Sequence, residues 1–209
     1  HKGLPVVLVP GFFTNRGYLY AWRKYLLRNG YGKVYCVSPE PIFAGVEPNA
    51  EHLSRFVDEV LAETGAPRVI LIGHSMGGHG ALTLAFKYPE QFKSVSAFAP
   101  ICAPSVCTWG QQAFTQYLGE DQQLWSSHDA TVLVQQKGRL FEEILIDQGL
   151  DDQFYDQLNP EKFKHACLEV GQHLTMRFHE GYDHGYYFIQ SFMDEHLQFH
   201  AIQLEKVAG

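Results

Sequence analysis

The residues Gly73-His74-Ser75-Met76-Gly77 close an apolar, β-branched run, Val69-Ile70-Leu71-Ile72, and lead into a helix-forming stretch with more small residues, Gly78-His79-Gly80-Ala81-Leu82. A strand, a sharp turn and a helix in that order make a nucleophile elbow, with Ser75 as the nucleophile. The flanking glycines have a steric reason. The turn is strained, and only residues without a Cβ at positions 73 and 77 let strand and helix approach closely. A bare G-x-S-x-G is common by chance, but one set between a buried-strand signal and a helix is much less so.

A serine hydroxyl is a poor nucleophile at neutral pH and needs a base, which in turn needs an orienting carboxylate. With an elbow nucleophile the chain order is Ser, then Asp or Glu, then His. Glu180-Gly181-Tyr182-Asp183-His184-Gly185 follows the last expected strand and supplies His184 as the base. His179 lies inside or at the end of that strand. His196 and His200, four apart, could hold a metal ion but more often mark a helix surface, which is the expectation here. The carboxylate must follow the strand ending at Asp147, and Asp147, Asp151, Asp152 and Asp156 all qualify by position. Asp147 is expected to point into the packing or cap a turn; Asp151 and Asp152 lie in the loop, and spacing does not choose between them. The oxyanion donors expected are the N–H of Met76, next to the nucleophile, and that of Phe12, from the loop Pro10-Gly11-Phe12-Phe13 after the first strand. Phe13, His74, Trp109 and Tyr186 are candidate pocket residues.

The elements that must position these groups follow from periodicity. Pro5–Val9 is all apolar and closed by Pro10-Gly11, as expected of a strand buried on both faces. Tyr18, Trp22, Tyr25 and Leu26 recur at helical spacing until Asn29-Gly30. Val34–Val37 is the next strand, and the proline-rich Ser38–Pro48 a surface loop. Asn49 is expected to cap a helix with Leu53, Phe56, Val57, Val60 and Leu61 on one face. After the elbow helix, which stops at Pro89, come a strand at Val95–Ala99 and an aromatic-rich excursion, Pro100–Lys137, where a lid or pocket wall would be built. Ile144–Asp147 resumes the sheet. Asn159-Pro160 opens a helix with Phe163, Ala166, Cys167 and Val170 on one face. Leu174–Phe178 is the last strand, and a helix from about Gly185 to Leu204 has Phe188, Phe192, His196, Phe199 and Ile202 spaced to dock on the sheet. This alternation predicts an α/β fold: a mostly parallel sheet of about six strands with helices on both faces and the site at the strands' carboxyl ends. A single domain over 1–209 is expected, with the cap-like insertion at about 100–137.

The 209 residues suffice to bury a full core, and 16 basic against 23 acidic residues give a charge of −7 without a Lys/Arg cluster, which argues against nucleic acid as a partner. Cys36, Cys102, Cys107 and Cys167 are scattered and read as reduced core or pocket thiols; no metal or cofactor is expected. His1–Pro5 show no signal-peptide core and no run is long enough to span a bilayer, so a soluble, cytoplasmic chain without membrane contact is expected.

From Gly73 to about Leu204 the sequence closely resembles S-formylglutathione hydrolase, also known as esterase D. The stretches that carry the likeness are Gly-His-Ser-Met-Gly-Gly-His-Gly-Ala-Leu at 73–82, Ser-Val-Ser-Ala-Phe-Ala-Pro-Ile-Cys at 94–102, Tyr-Leu-Gly-Glu-Asp at 117–121, Ile-Leu-Ile-Asp-Gln-Gly at 144–149 and Glu-Gly-Tyr-Asp-His at 180–184. The resemblance implies an α/β-hydrolase fold lacking its first strands. It also implies hydrolysis of short-chain esters or thioesters, Asp152 as the acid of the triad because it immediately precedes Gln-Phe, and a homodimer. Residues 4–72 instead look like bacterial lipase-type α/β-hydrolases, with Pro10 where those have a histidine, so that two ancestries would join at the elbow. On this reading the acyl-transfer machinery carries over, while recognition of the glutathione arm does not.

Overall fold

The computed structural model describes residues 3–11, 16–37 and 46–206, with the main chain alone for 16–19 and 46–49. The elements run β1 (Val6–Val9), α1 (Arg16–Arg28), β2 (Val34–Cys36), α2 (Val46–Thr64), β3 (Val69–His74), α3 (Met76–Lys87), β4 (Phe92–Phe98), α4 (Thr108–Leu118), α5 (Gln122–Ser126), α6 (Ala130–Lys137), β5 (Ile144–Gly149), α7 (Tyr155–Leu158), α8 (Pro160–Val170), β6 (Leu174–His179) and α9 (Tyr186–Glu205). The six strands form one sheet in the order β2-β1-β3-β4-β5-β6, and every pairing is parallel. Chain progression reverses direction between β1 and β3. The crevice at the carboxyl ends of those two strands is where a sheet of this kind binds ligands, and Ser75 stands at the end of β3.

Alternation along the buried strands sorts their side chains into two layers. Val6, Leu8, Ile70, Ile72 and Phe98 pack with Trp22 and Leu26 of α1 and with Phe188, Ile189, Met193 and Leu197 of α9. Val7, Val9, Leu71, Val95, Ala97, Ile144 and Ile146 pack with Leu53, Val57 and Val60 of α2, Leu82 and Phe86 of α3, Leu133 and Val134 of α6, and Phe163 and Cys167 of α8. The parallel sheet is thus covered on both faces, as its continuous apolar strands require. Segment 100–137 folds into α4, α5 and α6, and α6 packs on α3 and α8.

Several local expectations need correction. Helix α2 begins at Val46, inside the stretch expected as a loop and three residues before Asn49. Pro48 falls in its first turn, where a missing N–H leaves no intrahelical bond unmade. The remaining loop residues, 38–45, lie outside the described residues. Asn159 precedes α8 but does not cap it with its side chain: its backbone is left-handed (φ 51°, ψ 49°), and its amide donates back to the carbonyls of Asp156 and Gln157. Asp147 does not end its strand, which runs on to Gly149. Ile202 is half exposed and turned away from the sheet.

The larger correction concerns the expectation that His196 and His200 mark a helix surface: both are fully buried, His196 docked on the sheet as its spacing indicated and His200 beside it. Strand β4 carries two serines, Ser94 and Ser96, on the face toward α9. His196 Nδ1 lies 2.8 Å from Ser96 Oγ, which is 2.9 Å from His200 Nε2, and His200 Nδ1 is 2.7 Å from Ser94 Oγ. The spacings match: two strand residues advance about 6.6 Å and four helical residues about 6 Å. His196 Nε2 continues the chain to Asp147 Oδ2 at 3.2 Å, and Arg177 donates to both oxygens of that carboxylate at 2.5–2.6 Å while also pairing with Glu195. Asp147 therefore anchors a buried polar seam. The hydrogen bonds of His196 and Arg177 pull its carboxyl down to about 2, overriding the burial that would raise it.

Burial lowers the pKa of both His196 and His200, so each binds a proton more readily in the unfolded chain than in the folded one. Unfolding therefore takes up protons, and stability should fall as pH drops below about 6.5, with Asp147 adding a further loss below about pH 4. Urea midpoints measured at pH 7, 6 and 5 should decline steadily, and less steeply in His200→Gln. A flat profile would contradict the arrangement.

Candidate active site

Ser75 sits between β3 and α3 with φ 55° and ψ −122°, a conformation that costs a non-glycine residue on the order of 1–3 kcal/mol. Its neighbours hold it there. The Ser75 N–H donates to the Phe98 carbonyl at 3.0 Å, and the Ser75 carbonyl accepts from His79 N–H at 3.0 Å and from Ile101 N–H at 3.4 Å. A Cβ at position 77 would lie 2.2 Å from the Val9 carbonyl oxygen and 2.3 Å from that of Pro10, and one at position 73 would lie 2.5 Å from the Gly77 oxygen. The steric role expected of both glycines is thus met by main-chain contacts that cannot yield. Met76 is the first residue of α3. Its N–H belongs to the first turn, whose donors lack intrahelical acceptors and stand at the positive end of the helix dipole.

The loops that carry Asp152 and His184 are laced together on the other side. Leu150 N–H donates to the His179 carbonyl at 2.9 Å and Asp151 N–H to the Tyr182 carbonyl at 3.1 Å. Gly149 permits this approach, since a Cβ there would be 2.2 Å from the Tyr182 oxygen. As a result His184 Nδ1 lies 2.6 Å from Asp152 Oδ2, with the carboxylate fully buried and the imidazole nearly so. Asp152 also accepts from Phe154 N–H at 2.8 Å and from Gln148 Nε2 at 3.1 Å. Asp151 is exposed. The tie that spacing left open between the two aspartates is therefore resolved in the geometry, which pairs Asp152 with the histidine.

The His184 ring is walled on two sides. His74, next to Ser75, lies against it with ring centroids 4.8 Å apart, and Phe154 meets it edge-on at 5.1 Å. Trp109 packs on Phe154 at 4.9 Å and donates its main-chain N–H to Gln157. His74, Ser75, Met76, Trp109, Asp152 and His184 are thus drawn to one end of the sheet. Tyr186 opens α9 two residues beyond His184 and is partly buried against the α1/α9 layer. Phe12 and Phe13 lie outside the described residues. Phe154 and Gln148 were not anticipated. The first is two residues beyond Asp152 and the second four before it, and that nearness in sequence to the carboxylate is the signal that could have drawn attention to them.

Burial gives three of the cysteine thiols little reactivity. Cys102, Cys107 and Cys167 are buried and unoxidised, and desolvation raises each thiol, that of Cys167 to about 12. Among the described residues no group of three or more His, Cys, Asp or Glu could hold a metal ion, and no helix is long and apolar enough to cross a membrane.

A family described as "Putative esterase" matches residues 49–199. An S-formylglutathione hydrolase of Arabidopsis thaliana is 48% identical over 156 residues, covering 74% of this chain and 55% of that protein. One of Paracoccus denitrificans is 53% identical over 134 residues, covering 64% of this chain and 48% of that protein. The chain spans about half the length of the curated relatives it matches. Among solved structures, an S-formylglutathione hydrolase from Agrobacterium tumefaciens superposes with a TM-score of 0.81 at 37% identity, covering 98% of this chain and 86% of that one. A fluorophosphonate-binding serine hydrolase of Staphylococcus aureus shares the fold at 15% identity and a TM-score of 0.72, over 94% of this chain and 84% of its own. The Agrobacterium likeness runs through residues 4–72, so the lipase-type ancestry expected there gains no support.

Gly149→Ala should part the two loops. The low-field proton resonance of the His184–Asp152 pair is expected to broaden or vanish, with the far-ultraviolet circular dichroism little changed; an intact resonance would contradict the contact.

Proposed function

The chain belongs to the esterase family, and from that premise we propose that it is a serine hydrolase cleaving short-chain esters or thioesters through Ser75, His184 and Asp152. The observation that carries the reading is the buried Asp152 carboxylate 2.6 Å from His184 Nδ1, on an imidazole packed against the neighbour of a strained serine. With Nδ1–H held by Asp152, the free lone pair is on Nε2, the tautomer a general base requires. Ser75 Oγ attacks the acyl carbonyl as His184 Nε2 takes its proton. The negative charge that develops on the carbonyl oxygen is met by the N–H of Met76 and that of Phe12. Collapse expels the alcohol or thiol, which leaves with the proton from His184, and an acyl-Ser75 remains. Water then repeats the sequence with His184 as base, releasing the acid and restoring the serine.

The aromatic rim of Trp109 and Phe154 supports a compact acyl pocket over an open lipid groove. The 37% identity to the Agrobacterium enzyme over nearly the whole chain favours a thioester such as S-formylglutathione as a second reading of the substrate. The mechanism is the same for both. The partner envisaged is a small-molecule substrate. By family likeness the chain is a soluble cytoplasmic homodimer, with the part of 100–137 that precedes α6 as a cap beside the site.

Ser75→Ala should abolish hydrolysis of p-nitrophenyl acetate. Asp152→Asn should cut kcat on the order of 10⁴-fold by disfavouring the required tautomer, while Asp151→Asn stays within about twofold. Undiminished turnover in Ser75→Ala, or the reverse ranking of the aspartates, would overturn the assignment. A series of p-nitrophenyl esters from acetate to decanoate, run beside S-formylglutathione, separates the substrates: falling kcat/KM with chain length supports the compact pocket, and a maximum at long chains refutes it.

A further inference from the structure

His74 has an environment that the triad does not explain. It is 8% exposed, at the end of β3, with the Trp22 ring edge-on at 6.4 Å and the His184 ring at 4.8 Å. Neither of its ring nitrogens makes a hydrogen bond of full geometry among the described residues, the main chain of His184 offering only a weaker polar contact. Burying unpaired polar atoms works against stability, and a phenylalanine would fill a similar space without that cost. An unpaired imidazole against the base calls for a reason in the chemistry.

We propose that His74 is a positioning residue for the hydrolysis proposed above: its buried, unpaired imidazole walls the His184 ring and steadies the imidazolium that forms when His184 takes the Ser75 proton. Burial, aided by the nearby His184, drives the His74 pKa down to about 3 against the weaker opposing pull of Asp152 and of the His184 main chain. It therefore faces the base as a neutral ring over the whole working range. A second cation there would repel the imidazolium, and a hydrocarbon would leave that wall of the ring without a polar neighbour. A neutral imidazole offers a lone pair and a polarisable face. Asp152 on the Nδ1 side, Phe154 at the ring edge and His74 on the other wall together leave His184 one orientation.

The inference rests on the serine-hydrolase reading, and the test separates the two. In the unaltered chain, turnover of p-nitrophenyl acetate and labelling by a fluorophosphonate probe test that reading; absence of both sinks it, and this inference with it. In an active chain, His74→Phe keeps an aromatic ring and removes the nitrogens. It is expected to lower kcat about tenfold with KM within about twofold, and to move the acid limb of kcat/KM to lower pH by about half a unit. His74→Gln, which keeps a polar group, should retain most of the turnover, and His74→Leu gives the same readings as Phe should Phe fail to pack. An NMR titration of the His184 imidazole in Ser75→Ala, with and without the His74 substitution, should show the same downward shift without any turnover. Unchanged kcat and acid limb in His74→Phe, or a His74→Gln protein that falls as far as His74→Phe, assigns His74 to packing alone and overturns the inference.

Discussion

Everything at the site depends on how closely the start of α3 approaches the end of β1. The Gly77 Cα lies so near the Val9 and Pro10 carbonyls that no side chain fits between them. This contact fixes the entry angle of the helix, and the angle forces Ser75 into its positive φ. The strain is balanced by the main-chain bonds to Phe98, His79 and Ile101, which clamp both the Ser75 N–H and its carbonyl. The direction of Ser75, the proposed nucleophile, is thus a property of three strands and a helix rather than of its own rotamer, and the first-turn N–H groups of α3 are aimed by the same geometry.

Asp152 and His184, the proposed acid and base, obey a second close approach, at Gly149. There the end of β5 and the loop after β6 share main-chain hydrogen bonds, so the two loops behave as one body and Asp152 reaches His184 without spanning a gap. Placing the partners on strands that are neighbours in the sheet keeps them in register through the β5–β6 ladder, which is continuous from Ile144 to Gly149. Rigid elements of this kind hold catalytic groups more accurately than free loops do.

Much of this was legible in the residues. The glycine spacing around Ser75 marked a steric need that the contacts at 73 and 77 bear out, and the strand–helix alternation led to the parallel sheet because periodicity reports burial directly. The choice of Asp152 over Asp151 was not legible from spacing, since adjacent loop residues point in opposite directions and only the fold decides which faces inward. His200 was misjudged, and His196 read both as docked on the sheet and as surface, because a helix periodicity argument treats histidine as polar. Their partners, Ser94 and Ser96, lie a hundred residues away on a strand where they alternate with the apolar Val95 and Ala97. Pairing a strand's i, i+2 polar residues with a helix's i, i+4 polar residues is a signal available in sequence, but it becomes meaningful only once α9 is known to cross β4.

That seam has a consequence for how α9 finds its place. Hydrophobic contact alone is nearly indifferent to a helix sliding by one turn, because another row of apolar side chains arrives where the first one was. The four hydrogen-bonding groups of Ser94, Ser96, His196 and His200 are not indifferent. A slip of one turn would leave at least two of them buried without partners, at about 1–3 kcal/mol each. Helix α9 is thus held by a lock with a single keyed position. A chain that could otherwise close its sheet in several nearly equivalent ways has one in which the loop preceding that helix delivers His184 to Asp152.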